Sequence, residues 1–394
     1  MEVKQIYELI NSVSSEVLGK TNLVHEDLTG IIDLGNEVFN QNAVDNYVKS
    51  LVNHIGKVVF VNRPYSGKVP SVLMDAWEFG SVLEKISADV PPAEENDTWN
   101  LTDGKEYKQD VFHKPTVSAK FFNSKVTFEV PVSITERQVK ESFSSAAQLN
   151  GFLSMIYNAV EKSMTIKTDA LIMRTINNMI AETLDADKTA FGFVPSTNET
   201  VNYSSASTVR CVNLLKLYNE KTGTQLEADV AITTPDFIRY AAYIMGLYSD
   251  RLQTISTLFN VGGKERFTPK DVLHTVLLSD FAAAAKTYLY ADTFHEDNVL
   301  LPKAETVASW QATGKDYAFA NVSKIDVKSA SGASVSIGGV LGVMFDRDAL
   351  GVTNLDKRVT TNYNAKAEFF NNYYKFDAGY FNDTNENFVV FFIA

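Results

Sequence analysis

Residues 338–394 read "GGVLGVMFDRDALGVTNLDKRVTTNYNAKAEFFNNYYKFDAGYFNDTNENFVVFFIA". Val340 to Phe345 form a short apolar run that ends at the polar turn Asp346-Arg347-Asp348. An apolar run of that length between turn signals reads as a strand buried on both faces. Phe388 to Ala394 carry no polar side chain. Chain ends usually fray into water, so this one is expected to be tied down as a strand inside a core. "AEFFNNYYKFDAGYFND" (367–383) is expected to be a strand paired with it.

Working outward from there, "SKIDVKSASGASVSIGG" (323–339) reads as a hairpin turning at Ser331-Gly332. Further upstream, helical and strand signals alternate. "ADVAITT" (228–234) reads as a short apolar strand. A helix is expected to follow, with Thr234 as cap, Pro235 at the first helical position and Phe237, Ala241 and Ile244 on its apolar face. Thr268-Pro269 with Asp271 repeats that start. The strongest element lies between Ser145 and Thr183. Leu149, Leu153, Ile156, Val160 and Met164 keep helical spacing, and Leu171, Ile172, Ile176 and Ile180 resume it. With Gly151 its only glycine and no proline, such a helix exceeds ~50 Å, which suggests a spine. The heptad slips between Thr165 and Thr168, which argues against a coiled coil.

The first 57 residues read as two amphipathic helices, striped by Ile6, Ile10, Val13 and Val17 and by Val44, Val48, Leu51 and Ile55. Between them and the spine the character changes. "VVFVNRPYSG" (58–67) looks like a strand broken at Pro64 and Gly67. From Asp89 to Asp110 there are seven acids and two lysines, flanked by "SVLEKISADV" and "VSAKFFNSKVTFEVPVSI", both of strand character. Two strand-like flanks around a long polar excursion describe a projecting hairpin. Trp77, Phe79, Trp99, Phe112, Phe121 and Phe122 are too many rings for a solvated loop, so these residues are the candidate subunit interface.

The bulk numbers narrow the function classes. With 394 residues and 45% hydrophobic composition, the chain has ample material for a core. Its formal net charge of −12 argues against gripping nucleic acid by its phosphates. Cys211 is the only cysteine, so no intrachain disulfide forms, and its apolar neighbours mark it as a packing residue. The first 20 residues lack a secretion signal's pattern, and no apolar run reaches membrane-spanning length, so residence in a cytoplasm is expected. No phosphate loop, dinucleotide-binding glycine motif, zinc-helix motif or nucleophile elbow occurs. "VGGKERF" (261–267) is better read as a turn, and His295-Glu296-Asp297 as a solvated acidic turn rather than a metal site. No cofactor or metal is expected, and no catalytic residue is assigned.

The order of helical arm, long two-stranded loop, spine helix, mixed region and returning strands resembles the major capsid (head) protein of tailed double-stranded DNA bacteriophages, the Hong Kong 97-type fold. The carrying stretches are "SVLEKISADV", "VTFEVPVSITERQVKESF", "HTVLLSDFAAAAKTYLYADTFHEDNVLLP" and residues 338–381. The resemblance implies an α+β fold with a helical arm at 1–57 and an extended loop at 58–125. It implies a peripheral domain at 126–224 and 346–394, with the spine helix at about 145–183, and an axial domain at 225–345. It implies a structural subunit that assembles as pentamers and hexamers into an icosahedral virion capsid, in the bacterial host cytoplasm, around double-stranded DNA. A portal is implied as well. Only about 57 residues precede the loop, so a separate scaffolding protein is expected. The same fold also serves encapsulin-like nanocompartment shells, which are the alternative. An intracellular enzyme with a dispersed site, using Asp346 or Asp348, is the remaining one.

Overall fold

A computed structural model describes residues 3–19, 69–74, 83–91, 93–107, 110, 112–135, 146–192, 201–290, 304–311 and 316–394. Helix α1 (Val3–Leu18) buries Ile10 and Val13 completely, as the stripe in its sequence requires. The second amphipathic stripe, from Val44 to Ile55, and the strand expected at 58–67 lie outside the described residues. Strand β1 (Leu73–Met74) is followed by the antiparallel pair β2 (Leu83–Ala88) and β3 (Val117–Phe122), and then by β4 (Lys125–Thr135).

The spine is α2 (Ala146–Ala186), a continuous helix of 41 residues, about 60 Å long. Leu171, Ile172, Ile176, Met179, Ile180 and Leu184 are buried along it. Its threonines keep this face dry. The hydroxyls of Thr168, Thr175 and Thr183 donate to the carbonyls of Met164, Leu171 and Met179 at 2.8–3.0 Å, so no buried hydroxyl on that face is left without a partner.

After the spine come β5 (Cys211–Asn213), α3 (Leu214–Thr222), α4 (Ala228–Ala231), α5 (Pro235–Arg251), β6 (Leu273–Leu278), α6 (Ser279–Tyr290), β7 (Glu305–Val307) and α7 (Phe319–Val322). Strands β8 (Ile325–Lys328), β9 (Ser334–Ile337), β10 (Val340–Asp346), β11 (Leu350–Asn364), β12 (Phe369–Asn382) and β13 (Phe388–Phe392) complete the chain.

Two larger sheets organise these elements. The first has strand order β5-β13-β10-β6-β7. Its alternating side chains divide between two cores. Phe388, Val390 and Phe392 face the spine helix with Val343 and Phe345. Val389, Phe391 and Ile393 face α3, α5 and α6, where Phe237, Met245 and Phe281 are buried. The terminal run is apolar throughout because both of its faces are covered. The second sheet has strand order β1-β11-β12-β4 and also touches the spine helix. Its outer face is polar and carries paired charges. Arg358 bonds Asp377 at 2.5 Å, and Lys375 lies 3.4 Å from Glu129.

Three local expectations change. Residues 228–231 form a helical turn rather than a strand, and the Val230 carbonyl accepts from both the Thr233 and the Thr234 hydroxyls. Thr234 therefore precedes α5 without capping it, although Pro235 does start the helix. Thr268-Pro269 starts no helix. The Thr268 hydroxyl donates to the buried Asp346 carboxylate at 2.8 Å, and the chain turns into β6. Strands β12 and β13 do not pair with each other but join different sheets. Buried strand β10, the 331–332 hairpin with Gly332 at φ +84°, and the packing role of Cys211 stand as read. Burial pushes the Cys211 thiol well up, so it stays protonated.

Candidate assembly surfaces

The hairpin made by β2 and β3 is built inside out. Its register pairs Leu83 with Phe122, Lys85 with Lys120, Ser87 with Ser118, Ile86 with Ala119 and Ala88 with Val117. Because side chains alternate across a strand, two faces result. Leu83, Lys85, Ser87, Ser118, Lys120 and Phe122 form the inward face and are partly buried. Glu84, Ile86, Ala88, Val117, Ala119 and Phe121 point outward and are exposed. A hairpin resting on its own protein would ordinarily turn its apolar face inward. Here the outward face holds Ile86 at 68% exposure and Phe121 at 63%.

Ions hold the inward face to the body. Lys85 Nζ lies 2.7 Å from Asp383 and 3.3 Å from Glu386, and it also donates to the Asp348 carbonyl at 2.9 Å. Lys120 Nζ reaches the other Asp383 oxygen at 3.0 Å. Arg266 completes the group at 3.2 Å from Glu386, and Lys264 bonds Asp89 at 3.0 Å just beyond β2. The ring of Phe122 packs on Phe381 with centroids 5.1 Å apart. Burial alone would raise the Asp383 pKa. The bonds and charge of Lys85 and Lys120 outweigh burial and hold the carboxyl below the ordinary carboxylate range.

Beyond the pair, residues 93–107 are tied to themselves. Asn96 caps a single turn at Asp97–Trp99, Lys105 bonds Asp97 at 2.6 Å, and the Tyr107 hydroxyl accepts from the Thr102 amide at 2.9 Å. This tip holds Trp99 at 94% exposure, with Phe112 at 86% on the returning strand. Of the ring residues singled out in the sequence, Trp99, Phe112 and Phe121 thus stand in solvent, Phe122 packs within its own chain, and Trp77 and Phe79 lie outside the described residues. Sequence reading missed Ile86, Val117 and Leu101, which are also exposed. The signal was present: in "LEKISA" and "VSAKFF" the lysines share a strand face with Leu83 and Phe122, leaving Ile86 and Phe121 on the other.

No enzyme-like constellation accompanies these surfaces. Among the described residues no group of three His, Cys, Asp or Glu could hold a metal ion, and no described helix is long and apolar enough to cross a membrane. Asp346, once a candidate for dispersed chemistry, accepts from Thr268 and from the Asp348 amide, an arrangement that shapes the turn after β10. His295, Glu296 and Asp297 lie outside the described residues.

The sequence pattern of the Phi29-like phage major capsid protein family matches residues 10–392. The chain belongs to that family. Its role is that of a structural subunit of a virion capsid, and the resemblance drawn from the sequence is borne out. The mixed fold of this capsid subunit follows the element order expected of the Hong Kong 97 type. Similar chains occur in solved phage structures. One is the capsid of Staphylococcus phage Andhra, at 9% identity, TM-score 0.45, covering 84% of this chain and 86% of that one. Another is the capsid of Cyanophage P-SCSP1u, at 10% identity, TM-score 0.44, covering 85% and 90%. No curated protein matches the capsid subunit.

Proposed function

We propose that the subunit tiles a closed icosahedral shell as pentamers and hexamers, and that each copy lays its hairpin across an adjacent copy. The inverted polarity of β2 and β3 carries this reading. Ile86, Val117 and Phe121 face water in the single chain, and Trp99 and Phe112 crown the tip. Apolar surface of this kind is stable only when something covers it, and in a shell the neighbouring copy does so. The remaining segments take matching parts. Residues 1–57 form the arm, 58–125 the extended loop, 126–224 with 346–394 the peripheral domain, and 225–345 the axial domain around each capsomer centre. The shell encloses double-stranded DNA without gripping it, which a net charge of −12 favours by repulsion. Assembly in the host cytoplasm with a separate scaffolding protein and a portal completes the reading, supported by the family to which the chain belongs.

The test is electron microscopy of the full chain expressed with and without a scaffolding protein. Wild type gives shells or capsomers. The double variant Trp99→Ala/Phe112→Ala keeps the wild-type thermal midpoint, because both rings are exposed, but closes no shells. An interface anchor of this type is worth about 2 kcal/mol or more per contact, repeated at every copy. Normal shells from the double variant would remove the hairpin from the account. A wild-type monomer that never assembles would remove the tile itself.

A further inference from the structure

The root of the hairpin carries an arrangement that ordinary sheet energetics disfavours. Lys85 and Lys120 are direct cross-strand partners on the inward face. Like charges placed opposite each other across a strand pair repel. Here one carboxylate sits between them. The Asp383 side chain is only 4% exposed, and each of its oxygens takes one ammonium, at 2.7 and 3.0 Å. Other charges surround the clamp. Glu386 holds Lys85 on one side and Arg266 on the other. Glu182 on α2 lies within electrostatic reach of Lys120; burial pushes its carboxyl up and Lys120 draws it back. Asp383 itself is fixed, since its backbone amide donates to the Ala349 carbonyl at 2.7 Å and its Oδ1 accepts from the Asn385 amide at 3.1 Å. Apart from this clamp, the aromatic contact seating β3 on the body is the single ring pair of Phe122 and Phe381.

We propose that Asp383 is a positioning residue for assembly: by bridging the facing ammonium groups of Lys85 and Lys120, it fixes the angle at which the hairpin leaves the body, and so where the outward apolar face meets the next copy. This rests on the hairpin being an assembly contact. An ionic clamp suits the position. A greasy root would be indistinguishable from the outward face and would let the hairpin settle either way up, whereas two lysines can seat only on the acidic turn of 383–386.

Hydrogen exchange of the unassembled full-length subunit reads the seating, and electron microscopy of the assembled product reads its consequence. Asp383→Asn is expected to raise exchange in 83–88 and 117–122 by roughly tenfold, as loss of one charge-assisted contact would. Exchange in β10, β13 and α2 stays at the wild-type level, and shells fail to close or close at the wrong size. Adding Lys85→Gln and Lys120→Gln to Asp383→Asn removes the repulsion and is expected to recover much of the lost protection, a non-additivity that a merely space-filling Asp383 would not show. Should Asp383→Asn fail to fold, Lys85→Gln/Lys120→Gln alone leaves the turn intact and is expected to loosen the same two strands. Unchanged hairpin exchange in the folded variants overturns the clamp. A loosened hairpin with normal shells overturns its role in assembly and, with it, the reading of the hairpin as a contact.

Discussion

At φ +71°, Gly339 holds its backbone where an added Cβ would lie 1.9 Å from the Ile393 carbonyl oxygen. The same glycine's carbonyl accepts from the Ile393 amide at 2.9 Å, so the turn before β10 grips the end of β13. Gly339→Ala therefore meets both a left-handed backbone, costing about 1–2 kcal/mol for any L-residue, and a contact with main chain that cannot step aside. The expected result is a thermal midpoint lowered by several degrees or more, read by calorimetry. An unchanged midpoint would contradict the geometry. His274 gives a pH effect. Its ring packs beside Phe345 at 5.9 Å, and its buried Nε2 has no hydrogen-bond partner. Burial lowers its pKa below the ordinary ~6.5. The unfolded chain then takes a proton first as pH falls, so stability is full above ~6.5 and declines below it. His274→Gln is expected to flatten the pH dependence of the midpoint between pH 7 and 5. A variant curve parallel to wild type would show that His274 is not the group responsible.

At the scale of elements, β13 is the keystone. It lies between β5 and β10 and supplies side chains to both cores of its sheet, with Phe388 to Phe392 all buried. Truncating one buried phenylalanine costs about 3–5 kcal/mol, comparable to much of a domain's net stability. Deletion of Phe388 to Ala394 is therefore expected to abolish folding rather than trim a tail, with loss of the circular dichroism signal or recovery only in inclusion bodies. Soluble, monodisperse truncated protein would refute the assignment. The spine helix plays the complementary part. It runs under both sheets, and its buried threonines return their hydroxyls to the helix backbone, so one long rod can be covered on broad sides without stranded polar groups. Its length and its apolar spacing were plain in the sequence, because helical periodicity is local. The covering by two separate sheets was not.

Across the whole molecule, charge and apolar surface are segregated in a way that suits a wall. The chain is acidic overall, and its exposed rings concentrate on the hairpin. An acidic wall should bind DNA weakly, since affinity for the duplex grows with the phosphates neutralised. Unassembled subunits are expected not to shift a double-stranded fragment at physiological salt. Retention that falls steeply with added salt would reveal a basic face that the balance of charges conceals.

What the amino-acid order determined by itself was the class of fold, the spine, the 331–332 hairpin, the doubly buried terminal strand and the silence of catalytic chemistry. Each of these is written in short-range periodicity or in the presence and absence of residue types. Tertiary structure alone decided the rest. Residues 228–231 became a helical turn, and Thr268 was claimed by Asp346 across 78 positions of chain. Strand β12 left β13 to pair with β11 and β4. Which way up the hairpin sits was settled by Asp383, 263 residues away from Lys120. Pairings of that span depend on which partners arrive at an open strand edge or a buried charge, and no local pattern of side chains specifies them.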